Sequence, residues 1–215
     1  MAHEQVIDGP GIHDAKAAAA RIGPNAVIQI IPALELAGFA EARAAIFNAA
    51  GLGSWSDIPP YEMVDETAVA ALHRAVRRHM TEQNADLVMR LAGKLTADYL
   101  LKNRIPTPVQ TILRVMPRLF AAPILARAIA RHAWTFAGSG AFSTRGVRTI
   151  IFRLKDNPLC EAESAQLPIC QWHCAVFQRL FAAIIDPDCH VVERHCTAQG
   201  AGTCVFEVKF AARIP

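Results

Sequence analysis

Six cysteines, Cys160, Cys170, Cys174, Cys189, Cys196 and Cys204, all fall from position 160 onward, and the first 159 residues contain none. Thiols gathered in this way serve metal ligation, redox chemistry or burial as small apolar groups. Disulfides drop out if the compartment is reducing. The N-terminal residues predict a cytoplasmic protein, because Glu4 and Asp8 accompany neither an apolar signal core nor an Arg/Ser-rich, acid-poor pattern. Cys170 and Cys174 are four apart and would share one face of a helix. Cys196 and Cys204 flank the Gly-containing stretch 197–202, so strands on either side would set the two thiols about 5 Å apart across a hairpin. Two such thiolates can share a metal, and a helix laid over the hairpin would bring further ligands toward the four of a tetrahedral zinc site. The spacings are not the paired C-x2-C knuckles of zinc ribbons, so inert buried thiols stay open as the alternative.

The elements that would position these residues follow from periodicity. Val69, Leu72, Val76 and Met80 recur at helical spacing with Arg74, Arg77 and Arg78 between them, and Leu87, Leu91, Leu95 and Tyr99 repeat every four residues. These predict helices from position 65 and over 84–102, the second closed by Pro106 and Pro108. Shorter helices are expected over 15–21, capped by Asp14 and stopped by Gly23 and Pro24, and over 39–50, with the type of 26–36 open. Gly51 to Pro60 reads as a loop. The stretch 109–131 sets Arg114, Arg118, Arg127 and Arg131 among apolar residues, with Pro117 and Pro123 forcing breaks or kinks. It is either a membrane-surface or partner-facing helix or a core helix with a solvated arginine face. Residues 148–154 are β-branched and aromatic and predict a strand. A helix over 170–185 and two strands, 189–196 and 203–210, complete an α/β chain of the α+β kind, a helical N-terminal half packed on an antiparallel sheet.

Composition narrows the function classes. The chain has 215 residues, 53% hydrophobic and 19% charged, which excludes disorder and fibrous repeats. A net charge of +3, from 22 Lys and Arg against 19 Asp and Glu, gives no electrostatic footprint for nucleic acid. The mean hydropathy of +0.22 raises the question of a membrane span. The charge-free stretches 22–34 and 132–144 fall short of the roughly 18 to 20 residues that a span needs.

The runs Cys170-Gln171-Trp172-His173-Cys174, Val191-Val192-Glu193-Arg194-His195-Cys196 and Gly200-Ala201-Gly202-Thr203-Cys204-Val205-Phe206-Glu207-Val208 resemble the 4-vinyl reductase domain family. Its pattern is a Cys opening a helix, Glu-x-x-Cys 23 to 26 residues on, then x-x-x-Gly-x-x-x-Cys and an aromatic-rich strand. Cys170, Glu193, Cys196 and Cys204 fit that pattern, and the resemblance implies them as ligands of a structural zinc. Glu193 and Cys196 are three apart, which on a regular strand points them to opposite faces and requires a bulge between them. Cys174 is the competing fourth ligand, a softer donor than a carboxylate. The runs 97–106, 132–140 and 171–173 further resemble the J-protein family of bacteriochlorophyll biosynthesis from about Arg21 to the end.

That resemblance implies one domain over 1–215, a core over 148–210 like the 4-vinyl reductase domain with a helical extension 1–147, and a fold like that of vesicle-tethering subunits. It also implies a homodimer, other bacteriochlorophyll-pathway enzymes as partners, and action around the 8-vinyl group of a protochlorophyllide-like pigment. Vinyl reduction needs a hydride or electron source. Gly138-Ser139-Gly140-Ala141-Phe142-Ser143 imitates only part of the dinucleotide fingerprint, outside a β-α-β unit, and reads as a tight loop. No Ser-His-Asp or paired-carboxylate set stands out. The expectation is therefore a carrier of a magnesium tetrapyrrole, with the 8-vinyl reductase itself and a ligand sensor acting through a separate partner as alternatives. Trp134, Phe136, Trp172, His173 and Phe177 would wall the pigment, Arg114 and Arg118 would meet a propionate, and His132, His173 or His195 would reach magnesium. Peripheral contact with the inner membrane is compatible with the arginine-bearing stretch.

Overall fold

A computed structural model describes residues 20–211. The chain opens with a two-residue strand β1 (Arg21–Ile22), so Arg21 is strand and not the end of a helix; the remainder of the expected 15–21 helix lies outside the described residues. β1 pairs antiparallel with β2 (Val64–Asp65). Between them, 26–36 resolves into two short helices, α1 (Asn25–Ile28) and α2 (Ile30–Leu36), with Pro32 in the first turn of α2, where no intrahelical N–H is needed. The 39–50 stretch is a 3-10 turn followed by α3 (Arg43–Ala49).

The two amphipathic patterns become α4 (Glu66–His79) and α5 (Glu82–Asn103). Asp65 caps α4 by accepting from Thr67 N at 2.8 Å, and Thr81 caps α5 by accepting from Asn84 N at 3.3 Å. Pro117 divides 109–131 into α6 (Thr107–Val115) and α7 (Arg118–Arg131), while Pro123 stays inside α7. Both readings of that stretch apply in part: Leu113, Ala121, Ala122, Leu125 and Ala126 are buried, whereas Ile112, Val115, Phe120 and Ile124 face outward.

Four strands form one antiparallel sheet in the order β3-β4-β6-β5. β3 (Ala141–Arg145) was not expected: the Gly138-Ser139-Gly140 turn leads directly into an edge strand that pairs with β4 (Ile150–Lys155). β5 (His190–His195) and β6 (Thr203–Lys209) complete the sheet, and the required bulge lies between Glu193 and His195. The inner face follows the strand period of two: Ile150, Phe152 and Leu154; Cys204, Phe206 and Val208; Val191 and Glu193. Across it lies α8 (Gln171–Ile184), whose Trp172, Val176, Phe177, Leu180 and Phe181 are buried.

Helix α8 is held between the sheet and α5. On the sheet side Phe177 packs on Phe152 with ring centroids 4.6 Å apart and on Phe206 at 5.4 Å. On the other side Gly93 of α5 lies against the Trp172 carbonyl and Ala175, with no room for a side chain. His73 of α4 donates from Nε2 to the Ala26 carbonyl at 2.9 Å, tying α4 to α1. Burial holds His73 down at about 3, so the neutral imidazole is the folded form. No helix among the described residues is long and apolar enough to cross a membrane.

Candidate metal centre

Strand β4 ends at Lys155, and the chain turns at once through Asp156 and Asn157 into a 3-10 turn, Pro158–Cys160. Asn157 Oδ1 accepts from Leu159 N at 3.1 Å, which fixes the turn and aims Cys160 inward. Because Leu154 faces Cys204 across β4 and β6, the end of β4 delivers Cys160 beside Cys204. Cys196 follows directly after the bulged end of β5, and Cys170 is the N-cap residue of α8. Four separate elements thus contribute one thiol each to the same point.

The sulfurs of Cys160, Cys170, Cys196 and Cys204 all lie within 4.8 Å of one another, and all four residues are buried. Cys160 to Cys170 is 3.1 Å, Cys170 to Cys204 3.7 Å, Cys160 to Cys196 3.8 Å and Cys170 to Cys196 3.9 Å. None is a disulfide, whose sulfurs stand about 2.05 Å apart. A single ion with metal–sulfur bonds of about 2.3 Å in a tetrahedron puts its sulfurs about 3.8 Å apart, so three of these four edges already have the required length. A multi-iron cluster interposes several atoms between its thiolates and would hold them farther apart.

The electrostatics point the same way. Cys196 is pulled down to about 6 by the Cys160 and then the Cys170 thiols directed at it, and Cys204 is lowered by the same two neighbours. Burial, followed by contact with the other three sulfurs, pushes Cys170 up. Four sulfurs this close cannot all ionise unless a cation lies among them. Asn157 supplies amide hydrogens from outside the set, donating to Cys170 Sγ at 3.3 Å, Cys160 Sγ at 3.4 Å and Cys204 Sγ at 3.5 Å. Thr197 N donates to Cys204 Sγ at 3.4 Å. Donors of this kind orient thiolate ligands and temper their charge. The four cysteines can hold a metal ion.

Of the ligands expected from sequence, Cys170, Cys196 and Cys204 come together and Glu193 and Cys174 do not join them. Glu193 is buried beneath the α8 N-terminus, where Oε2 accepts from Cys170 N at 2.9 Å. Burial and then the nearby Cys196 charge raise its carboxyl to about 9. Cys174 is one turn into α8, buried, its thiol pushed up to about 12 by burial first and by Glu193 second. Cys160 occupies the fourth corner. Sequence reasoning passed over it because it sits in an irregular segment with no periodic spacing to Cys170.

The residues expected around a pigment are dispersed. Phe136, His173 and Phe177 pack on one another, with Phe136 5.8 Å from Phe177 and 6.1 Å from His173, inside the α8–sheet core. Trp172 is buried beside His73. Trp134 stands 62% exposed. Arg114 donates to the Ala183 carbonyl at 3.0 Å, and Arg118 pairs with Asp186 at 2.9 Å, so both arginines hold α6 and α7 to the end of α8. Of the three histidines proposed for magnesium, His173 is buried, with its imidazole lowered to about 4 by burial, while His132 and His195 are exposed. The concavity nearest the cysteines is a cleft of about 380 Å³ between α4, α5 and the 165–171 segment, lined by Arg77, Ala85, Met89, Leu167, Ile169 and Gln171 among others.

A family model for the 4-vinyl reductase domain matches residues 150–210, the span from β4 through β6 that carries all four clustered cysteines. Over 208 residues the chain is 43% identical to the bacteriochlorophyll synthase 23 kDa chain of Cereibacter sphaeroides, covering 96% of this chain and 97% of that one. It is 42% identical over 189 residues to the protein of the same name from Rhodobacter capsulatus, covering 86% and 85%. Among solved structures, an H-NOX protein of T. Tengcongensis aligns with a TM-score of 0.56 at 12% identity, over 90% of this chain and 99% of that one. A trafficking protein particle complex subunit 3 from Naegleria fowleri aligns with a TM-score of 0.51 at 11% identity, over 68% and 95%. At such identities these two likenesses concern the fold alone.

Proposed function

The chain belongs to the family of bacteriochlorophyll synthase 23 kDa chains and serves bacteriochlorophyll biosynthesis, and from that premise we propose that it binds a magnesium tetrapyrrole and presents it to the pathway's enzymes. The observation that carries this reading is the 43% identity along nearly the whole chain, helical part and C-terminal domain together. A protochlorophyllide-like pigment is broad, flat and apolar with acidic side groups, and it needs an apolar concavity with a few placed polar groups. The cleft of about 380 Å³ beside the α8 N-terminus offers Met89, Leu167 and Ile169 for the macrocycle and Arg77 for a carboxylate. It is at the small end of ligand pockets, roughly 300 to 1,000 Å³, so part of the pigment would stay outside it, which suits a protein that must hand its ligand on.

Carriage is favoured over catalysis by the placement of the glycines. Gly138 and Gly140 lie in a turn entering an antiparallel edge strand, whereas the dinucleotide fingerprint works at a helix N-terminus between parallel strands. In this reading the thiolates of Cys160, Cys170, Cys196 and Cys204 hold a structural zinc, which on binding fixes the chain segments around the α8 N-terminus. Other pathway enzymes are the partners, contact with the inner membrane is peripheral, and the homodimer is checked by light scattering.

The experiment is an equilibrium titration of purified, metal-analysed protein with divinyl protochlorophyllide, followed by absorbance and pigment fluorescence. Saturable binding near one pigment per chain, weakened at least tenfold by Leu167→Glu in the cleft, is expected. An unshifted, non-saturating spectrum refutes pigment binding, and full affinity in Leu167→Glu moves the site elsewhere.

A further inference from the structure

Between Asp98 and Asp156 the chain holds ten Lys or Arg residues and no Asp or Glu, so a chain of net charge +3 concentrates its positive charge on one stretch. That stretch includes α6 and α7, whose inner faces are buried through Leu113, Ala121, Ala122, Leu125, Ala126 and Ile129. The outer faces are neither polar nor covered. Val115 is 80% exposed, Phe120 65%, Ile112 57% and Ile124 42%. Phe120 and Ile124 form a single stripe on α7 with Arg127 and Arg131, because positions 120, 124, 127 and 131 succeed one another at steps of three and four.

The turn between β3 and β4 extends the same surface. Arg127 meets Thr144, Arg145 and Gly146 across a shallow depression floored by Pro123 and Ala126. Val147 beside it is half exposed, and Arg148 follows. Arg114 and Arg118 are spent on the Ala183 carbonyl and on Asp186. Among the described residues, none of Arg127, Arg131, Arg145 or Arg148 pairs with a carboxylate.

We infer that this face, Val115, Phe120 and Ile124 bordered by Arg127, Arg131 and Arg145, docks on an anionic lipid bilayer. Protruding apolar side chains beside uncompensated arginines match an interface in which the former enter the acyl boundary and the latter meet lipid phosphates. A second copy of the chain is a poor occupant, since a twofold contact through this face would set arginines against arginines. A peptide-binding site would be a groove, whereas Val115 and Phe120 stand out from the corner where α6 meets α7. The assignment specifies the peripheral membrane contact proposed above and does not depend on pigment, because lipid binding is read in its absence.

The test is co-sedimentation of the full chain with vesicles of phosphatidylcholine, alone or with about one-third phosphatidylglycerol, at low and high salt. The anionic vesicles should bind the chain at low salt and release it as salt screens the attraction. With each arginine near the surface contributing about fivefold, Arg127→Ala with Arg131→Ala should weaken binding by about 30-fold, and Arg127→Lys with Arg131→Lys should retain most of it. Phe120→Ser with Ile124→Ser should weaken it at least tenfold at unchanged Tm. All four positions are on the surface, and thermal melts confirm that each variant is folded. Equal binding to neutral and anionic vesicles, no binding at low salt, or unaltered binding in both the alanine and serine pairs overturns the inference. Capture of an acidic pathway protein through this face without vesicle binding assigns it to a protein partner instead and overturns it too.

Discussion

Replacing Cys160 by Ser separates the observed cysteine set from the one expected by sequence pattern. In the structure Cys160 Sγ lies 3.1 Å from Cys170 Sγ and 3.8 Å from Cys196 Sγ, so the substitution removes one corner of the tetrahedron and replaces a soft thiolate by a hydroxyl that zinc binds far more weakly. An ion present at about 1,000 times its dissociation constant contributes about 4 kcal/mol to folding. For a chain of this size each kcal/mol is worth about 2 to 4 °C, which makes the loss roughly 8 to 16 °C in Tm. The assay is metal content after gel filtration by mass spectrometry, paired with thermal unfolding with and without chelator. One zinc per chain is expected in the wild type, well below half in Cys160→Ser, and a wild-type Tm that falls to the variant's on chelation. Cys174→Ser and Glu193→Gln should keep the ion. Full metal in Cys160→Ser together with its loss in Glu193→Gln would refute the four-thiol assignment.

Three further outcomes follow from the packing and burial. Phe152→Ala removes a fully buried ring packed on Phe142, Phe177 and Phe181 and should cost about 3 to 5 kcal/mol by chemical denaturation; a cost below about 1 kcal/mol would contradict the close core. Gly93→Ala gains up to about 1 kcal/mol of helix propensity, but its new methyl would press on the Trp172 carbonyl and Ala175 Cβ, an overpacking cost of about 1 to 3 kcal/mol. A net loss of stability is expected, and a stabilised variant would show that α5 and α8 do not approach so closely. His73 is neutral when folded, with its pKa lowered to about 3, so its contribution is complete above the unfolded value near 6.5 and is lost as pH falls from there toward 3. The slope is about 1.4 kcal/mol per pH unit. The difference between wild type and His73→Gln should therefore change with pH between 6.5 and about 4, and parallel curves would show that His73 is not buried neutral.

The long elements were legible from sequence because their apolar positions repeat: Val69, Leu72 and Val76 in α4, Leu91 and Leu95 in α5, and the alternating Cys204, Phe206 and Val208 of β6. The three-residue separation of Glu193 and Cys196 required a bulge, and the register shift is at that place. Strand β3 escaped notice because its edge position leaves Ala141, Ser143 and Arg145 exposed, so only Phe142 and Thr144 carry an inward signal. Cys160 escaped because its place depends on tertiary pairing: the Leu154–Cys204 register carries the end of β4 to the cysteine pair, and no local spacing encodes that. A cue was available in Asn157-Pro158, which ends a strand and turns the chain inward two residues before the thiol. Cys174 misled because its four-residue spacing from Cys170 presumes a shared helix face, whereas Cys170 is the N-cap and lies outside the regular helix.

Carriage and catalysis part most directly in a single-turnover experiment. The metal-replete chain is mixed anaerobically with divinyl protochlorophyllide, with and without reduced nicotinamide, and the pigment is extracted and separated into divinyl and monovinyl forms. Carriage predicts a pigment-induced absorbance shift and complete recovery of the divinyl form under both conditions. Stoichiometric monovinyl product that requires the reduced nicotinamide, formed by the purified chain alone, would contradict it.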